Sequence, residues 1–177
     1  MALSRLLLLC VVASKVWDAE TKPIEFVCNK SARRALNIVA EMESALSDCN
    51  GSANLSTPVQ LPCTELHVAS WENKSHQDKR GDIVASLRLL LEGVNVVKAQ
   101  CQPGCAASLL QRLKNNINNY LLILTHLQLS GPTMSPALSC VPRSTHSLNT
   151  ILSNYNRLIS GKLERFMVNL SDRCISK

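Results

Sequence analysis

Cysteine and histidine are the residues of this chain best placed to do chemistry, and their spacing decides which kind. His67, His76, His126 and His146 are dispersed, with no two at metal-ligand spacing on one helix. Cys101-Gln102-Pro103-Gly104-Cys105 offers half a metal site, but no second Cys or His pair stands where it would complete one. There is no glycine-rich phosphate loop and no nucleophile elbow. Glu41, Glu43 and Asp48 gather at a helix end and read as a solvated acidic face. These patterns argue against an enzyme and imply no cofactor. Covalent cross-linking is what remains.

Cys10 lies in an N-terminal segment that reads as a secretory signal: Arg5, the apolar run Leu6–Ala13, then polar residues. Cleavage is expected between residues 13 and 19, which makes 1–19 the signal peptide and 20–177 one domain. In a secreted, extracellular chain, Cys28, Cys49, Cys63, Cys101, Cys105, Cys140 and Cys174 are disulfide candidates first. Their odd number leaves one free or paired between chains. Asn29, Asn50, Asn54, Asn73 and Asn169 each open an Asn-x-Ser sequon, the glycosylation pattern of the same compartment. The later apolar runs are all broken by charge, so no membrane insertion is expected. The net charge of +6 favours a solvated basic surface or an acidic protein partner. Basic residues without interleaved aromatics do not make a nucleic-acid site.

The elements that must bring these cysteines together are helices. Ile83, Leu87, Leu90, Val94 and Val97 recur in steps of three and four, as do Leu110, Leu113, Ile117, Leu121 and Leu124. The Cys101–Cys105 breaker between them is too short to cross a helix length, so these two helices are antiparallel neighbours. The spacing predicts a first helix from about Glu25 to Ser47, with Leu36, Val39, Met42 and Leu46 inward and Lys30, Arg34, Asn37 and Glu41 outward. A second runs from about Asp78 to Gln100 behind a Ser75–Asp78 capping box. A third spans about Ala106 to Leu129, its Asn115–Asn119 run on the outward side. A fourth spans about His146 to Leu170, with Leu148, Ile151, Tyr155, Leu158, Leu163, Phe166 and Leu170 inward. The segments Cys49–His76 and Ser130–Thr145 read as long connections.

Helices of about 22 residues are roughly 33 Å long. Both connections can reach past that distance when extended. Long, short, long is the loop order of an all-α, up-up-down-down four-helix bundle with two long crossover loops. In that bundle Cys28 can meet Cys174 at one end, and Cys49 can meet Cys105 at the other, so the fold is disulfide-stapled. An up-down-up-down bundle would hold Cys49 and Cys105 beyond bridging distance. Cys63 and Cys140, midway along the two crossovers, are candidates for a third bridge. Cys101 is left over, or competes with Cys49 for Cys105.

Several stretches carry a likeness to known proteins: Thr57-Pro-Val-Gln-Leu-Pro62, Trp71, Asp82-Ile83, Leu89-Leu-Leu-Glu-Gly-Val94 and Gly104-Cys105. Leu158-Ile-Ser-Gly-Lys-Leu163, followed by Cys174, is another. Together they resemble the erythropoietin/thrombopoietin family of long-chain four-helix cytokines over about Cys28 to Cys174, with a lean toward its thrombopoietin side. The resemblance implies a monomeric haematopoietic hormone that draws together two copies of a single-pass, thrombopoietin-type class I cytokine receptor. Signalling would then pass through Janus-family kinases to promote megakaryocyte and thrombocyte production. It also implies bridges Cys28–Cys174 and Cys49–Cys105, and receptor contact at the matched positions Pro62 and Lys162. The family pattern is not met at Asn29, Ser31, Ser70, Ser160 and Glu164, where charged residues of other types are expected.

Arg157 and Arg165 flank the stripe of the fourth helix and would extend a basic patch with Lys162. Lys30 and Arg34 would add to the receptor-binding set from the first helix. Trp71 reads as an anchor holding the first crossover to the bundle. Gly161, which costs about 1 kcal/mol against Ala inside a helix, invites either close approach by a partner or a tight packing contact. Two alternatives are an erythropoietin-like red-cell factor and, from a different class, a secreted helical lipid-binding or membrane-active bundle.

Overall fold

The computed structural model describes residues 23–48, 54–100 and 105–174. The expected Cys49–Cys105 bridge, Cys101, Asn50 and the signal segment lie outside the described residues or rest on residues that do. The first helix is not the continuous rod that periodicity predicts. It comes in three pieces: α1 (Pro23–Cys28), α2 (Lys30–Leu36) and α3 (Val39–Asp48). Two asparagines make the breaks. Asn29 sits in extended backbone and accepts from the Ala32 N–H at 3.0 Å, capping α2. Asn37 is also extended and closes α2 with its own N–H, while its Oδ1 accepts from Val39 N at 3.3 Å to start α3. A side chain that bonds nearby backbone competes with helix continuation, and here it wins twice.

After β1 (Asn54–Leu61) and the short α4 (Val68–Glu72) comes α5 (His76–Gln100). The Ser75 hydroxyl accepts from Asp78 N at 3.1 Å and donates to Asp78 Oδ2 at 2.8 Å, the predicted cap. Helix α6 (Cys105–His126) follows, then β2 (Arg143–Ser147) and α7 (Leu148–Arg157). A π-helical turn over Leu158–Leu163 joins α7 to α8 (Glu164–Leu170), and a 3₁₀ turn over Ser171–Cys174 ends the described chain.

Side-chain pairings fix the directions. Phe26 meets Tyr120 edge-to-face, Leu36 O accepts from Asn116, and Glu41 pairs with Arg112, so the first helix runs against α6. Cys28 is bridged to Cys174 with Cα atoms 5.5 Å apart, and α3 packs on α7, so it also runs against the last helix. The start of α5 meets Leu129 and the end of α8, through Gln77 and Lys79, so it too opposes both later helices. The first and second helices therefore share one direction and the third and fourth the other.

The inward stripes meet in one core. Ile83, Leu87, Leu90, Val94 and Val97 of α5, Leu110, Leu113, Ile117 and Leu124 of α6, and Leu148, Ile151, Tyr155, Leu158, Leu163, Phe166 and Leu170 of the last helix are all buried. Each such side chain contributes about 1.5–3 kcal/mol. Leu36 and Leu121 are only partly buried against this core.

The two crossovers are more ordered than helical periodicity foretells. β1 and β2 pair antiparallel, with Val59 opposite Thr145 and Leu61 opposite Arg143. Leu55, Val59 and Leu61 turn inward. Both crossovers pass over α5 at glycines. A Cβ on Gly93 would lie 3.4 Å from Val59, and one on Gly81 would lie 3.4 Å from Ser135 O. Cys63 and Cys140 form the third bridge, their Cα atoms 6.0 Å apart. His146, placed in the fourth helix by its sequence spacing, belongs to β2, and Ser147 caps α7 instead.

Candidate functional site

Lys162 is the residue the structure moves furthest from expectation. Its side chain leaves the π-helical turn inward and is only 3% exposed. The ammonium lies 2.8 Å from Asp82 Oδ2 and donates to Cys63 O at 2.9 Å and Ser139 Oγ at 3.1 Å. Trp71, itself buried, covers this group with its ring centroid 5.7 Å from Nζ. Lys74 lies equally close to the same ring, 4.0 Å from Asp82. A lysine carries three donors, and these three are spent inside the protein. Lys162 is thus buried and paired, not presented at the surface beside Arg157 and Arg165.

Pro62 is buried as well, and its carbonyl accepts from Asn154 Nδ2 at 3.1 Å. Trp71 is the expected anchor. Arg165 is half exposed but committed, donating to Glu72 Oε1 at 2.7 Å. Glu72 also accepts from Asn169 Nδ2 at 3.2 Å and lies 3.8 Å from the buried Lys79. The hydrogen bond from Arg165, aided by the charge of Lys79, holds the Glu72 carboxyl below its ordinary range. This network latches α4 to the last helix.

Above the Lys162 socket opens a cavity of about 690 Å³ between the crossovers and the last helix. Lys74, Arg143 and Arg157 line it, along with Glu65 and Asn154. Arg143 and Arg157 are exposed and pair with no acid among the described residues. On the other side of the last helix lies a groove of about 400 Å³. Phe26, Tyr120, Ile159, Leu163 and Val168 supply its apolar lining, and Lys30 and Arg34 stand exposed beside it. Arg33 closes one wall as a fork on Glu164, at 3.0 and 2.9 Å, while also donating to the Phe26 and Val27 carbonyls. Burial, reinforced by the charge of Glu164, raises the Tyr120 hydroxyl well above its ordinary pKa.

Between cavity and groove runs a ridge made of Arg157, Ser160 and Gly161. Ser160 donates to Asn156 O at 2.7 Å. A Cβ built on Gly161 would meet nothing within 4 Å. The tight packing contact that could explain this glycine is absent from the described residues, and the π-helical turn around it is a form often found at functional sites.

A family model described as erythropoietin/thrombopoietin matches residues 26–177. The chain belongs to the erythropoietin/thrombopoietin family. The thrombopoietins of Mus musculus and Rattus norvegicus are each 31% identical to it, over 75% and 77% of this chain and 39% and 41% of their own lengths. That of Canis lupus familiaris is 33% identical over 72% of this chain and 35% of its own. The chain thus spans about two-fifths of the length of these relatives.

Four sequons of this family member fall in described residues. Asn29, Asn54 and Asn73 are exposed. Asn169 is partly buried, and its amide is bonded at both ends, to Glu72 and to Lys79 Nζ at 3.2 Å. Among the described residues no group of three His, Cys, Asp or Glu is arranged to hold a metal ion. No described helix is long and apolar enough to cross a membrane.

Sequence reasoning missed Asp82, Arg33 with Glu164, and Asn116. Asn116 is 7% exposed, turned inward from the supposedly outward Asn115–Asn119 run, and donates to Leu36 O at 2.9 Å where the first helix breaks. The signal for Asp82 was phase: it stands one turn before Ser86 and two before Leu90 on the inward stripe, as Lys162 stands between Leu158 and Phe166.

Proposed function

We propose that the protein is a secreted haematopoietic hormone that docks a thrombopoietin-type class I cytokine receptor on the ridge Arg157–Ser160–Gly161 of its last helix. Two receptor copies drawn together by one ligand would trigger Janus-family kinases and promote megakaryocyte and thrombocyte production. The observation that carries the docking surface is Gly161. A glycine inside a helix costs about 1 kcal/mol, and here no internal neighbour requires it. Its open side faces outward between two hollows, where a partner's backbone can approach closely. Lys30, Arg34, Arg143 and Arg157 around this ridge suit an acidic receptor surface, which would also speed encounter. Pro62 and Lys162 support the surface from beneath rather than meeting the receptor.

The family membership and the identity to the three thrombopoietins favour the thrombopoietin type over the erythropoietin-like reading. The paired crossovers and the Cys28–Cys174 clamp favour a hormone bundle over a lipid carrier, which must open to expose its apolar faces. The test is a binding comparison of the purified protein against thrombopoietin-type and erythropoietin-type receptor ectodomains. Preferential binding to the first is expected; binding to neither, with uptake by lipid vesicles, would overturn the reading.

A further inference from the structure

We propose that Asp82, a buried residue of α5 at the floor of the cavity beside Arg157, is a positioning residue for receptor binding: through Lys162 it pins both crossovers to the bundle. The inference rests on the docking surface proposed above. Three segments converge on one ammonium. Asp82 Oδ2 comes from the second helix, Cys63 O from the first crossover and Ser139 Oγ from the second. The Cys63–Cys140 bridge ties the crossovers to each other, but not to the helices. The ammonium supplies that tie, and Asn154 adds another from the last helix through Pro62 O.

A buried ammonium holds its place only with a charged partner. Asp82, 3% exposed, is that partner, and Trp71 roofs the pair against water. The wall of the cleft beside Arg157, formed by Pro62–Glu65 and Ser139–Thr145, is therefore set by a carboxylate that is itself buried at the base of that cleft.

The sign of one substitution separates this role from direct contact. If Lys162 reached the receptor, removing Asp82 would release it, and affinity would hold or rise. If Asp82 positions the cleft through Lys162, Asp82→Asn lowers affinity for the receptor ectodomain about tenfold, equivalent to roughly 1.4 kcal/mol. Asp82→Glu, which keeps the charge, recovers most of it. In the free protein, amide exchange in Asp82→Asn should speed up at residues 63–66 and 139–145 while α6 stays protected. Unchanged exchange there, or faster exchange with undiminished affinity, would overturn the proposal.

Should Asp82→Asn fail to fold, Ser139→Ala removes one exposed acceptor of the same ammonium. It should loosen 139–145 and weaken binding by a smaller factor; no loosening would be equally damaging. Failure of the docking surface itself is read separately, from Gly161→Gln on the same ectodomain. Full affinity in that variant discards the ridge whatever Asp82 does.

Discussion

The two flanks of the last helix are built on opposite plans. On the crossover side, a buried ion pair, a disulfide, a two-stranded sheet and Trp71 tie loop residues to the core. On the first-helix side, α2 contributes no buried residue at all. It is held by the Arg33 fork on Glu164 and by Asn116 reaching Leu36 O. Long loops are ordinarily the mobile parts of a protein and helices the rigid ones. Here the crossovers carry the cross-links and α2 has no buried residue, so the reverse order is expected. The proposed docking ridge would then lie between a fixed wall that aligns it and a yielding one through which it adapts.

Removing the fixed wall should have the largest effect. Lys162→Met leaves the buried Asp82 with only the more distant Lys74, 4.0 Å away, and should cost about 3 kcal/mol of stability in denaturant titration. Adding Asp82→Leu should return most of that loss, because an apolar pair of similar volume avoids the stranded charge. A double variant no better than the single one would show that the pair is not the source of the cost.

The yielding wall should be cheaper to break. Asn116→Ala removes the donor at the first break and is expected to cost about 1–2 kcal/mol. Amide exchange should rise across Lys30–Leu36 and not across α5. Equal protection of α2 and α5 in the unaltered protein would erase the contrast altogether.

The smallest effect concerns the latch at Glu72. Its pKa is depressed in the folded protein, so its contribution is present above the ordinary value of 4.5 and is lost as pH falls through the lower folded value. Glu72→Gln should lower the melting temperature slightly near neutral pH, and the difference from the unaltered protein should vanish in acid. A gap that persists in acid would assign the latch to hydrogen bonding alone.

The helices were legible because their apolar residues repeat in steps of three and four, and so was the pairing of Cys28 with Cys174. The strands were not. β1 finds its partner in β2 more than 80 residues onward, and with only Leu55, Val59 and Leu61 inward it offers no clean alternation. Breaks at Asn29 and Asn37 were hidden because the apolar phase continues across them; only side-chain capping reveals them. Lys162 misled for a general reason. Lysine is almost always solvated, so a lysine in phase with Leu158 and Phe166 reads as surface unless its acid, Asp82, is noticed in phase on another helix.

The most direct measurement is the affinity of Gly161→Gln for the thrombopoietin-type receptor ectodomain, taken beside its melting temperature. Glutamine is a better helix former and meets no internal neighbour at this position, so stability should rise by up to about 1 kcal/mol. Affinity should fall at least about tenfold as the added side chain fills the space left for the partner. Higher stability with unaltered affinity would contradict docking on this ridge.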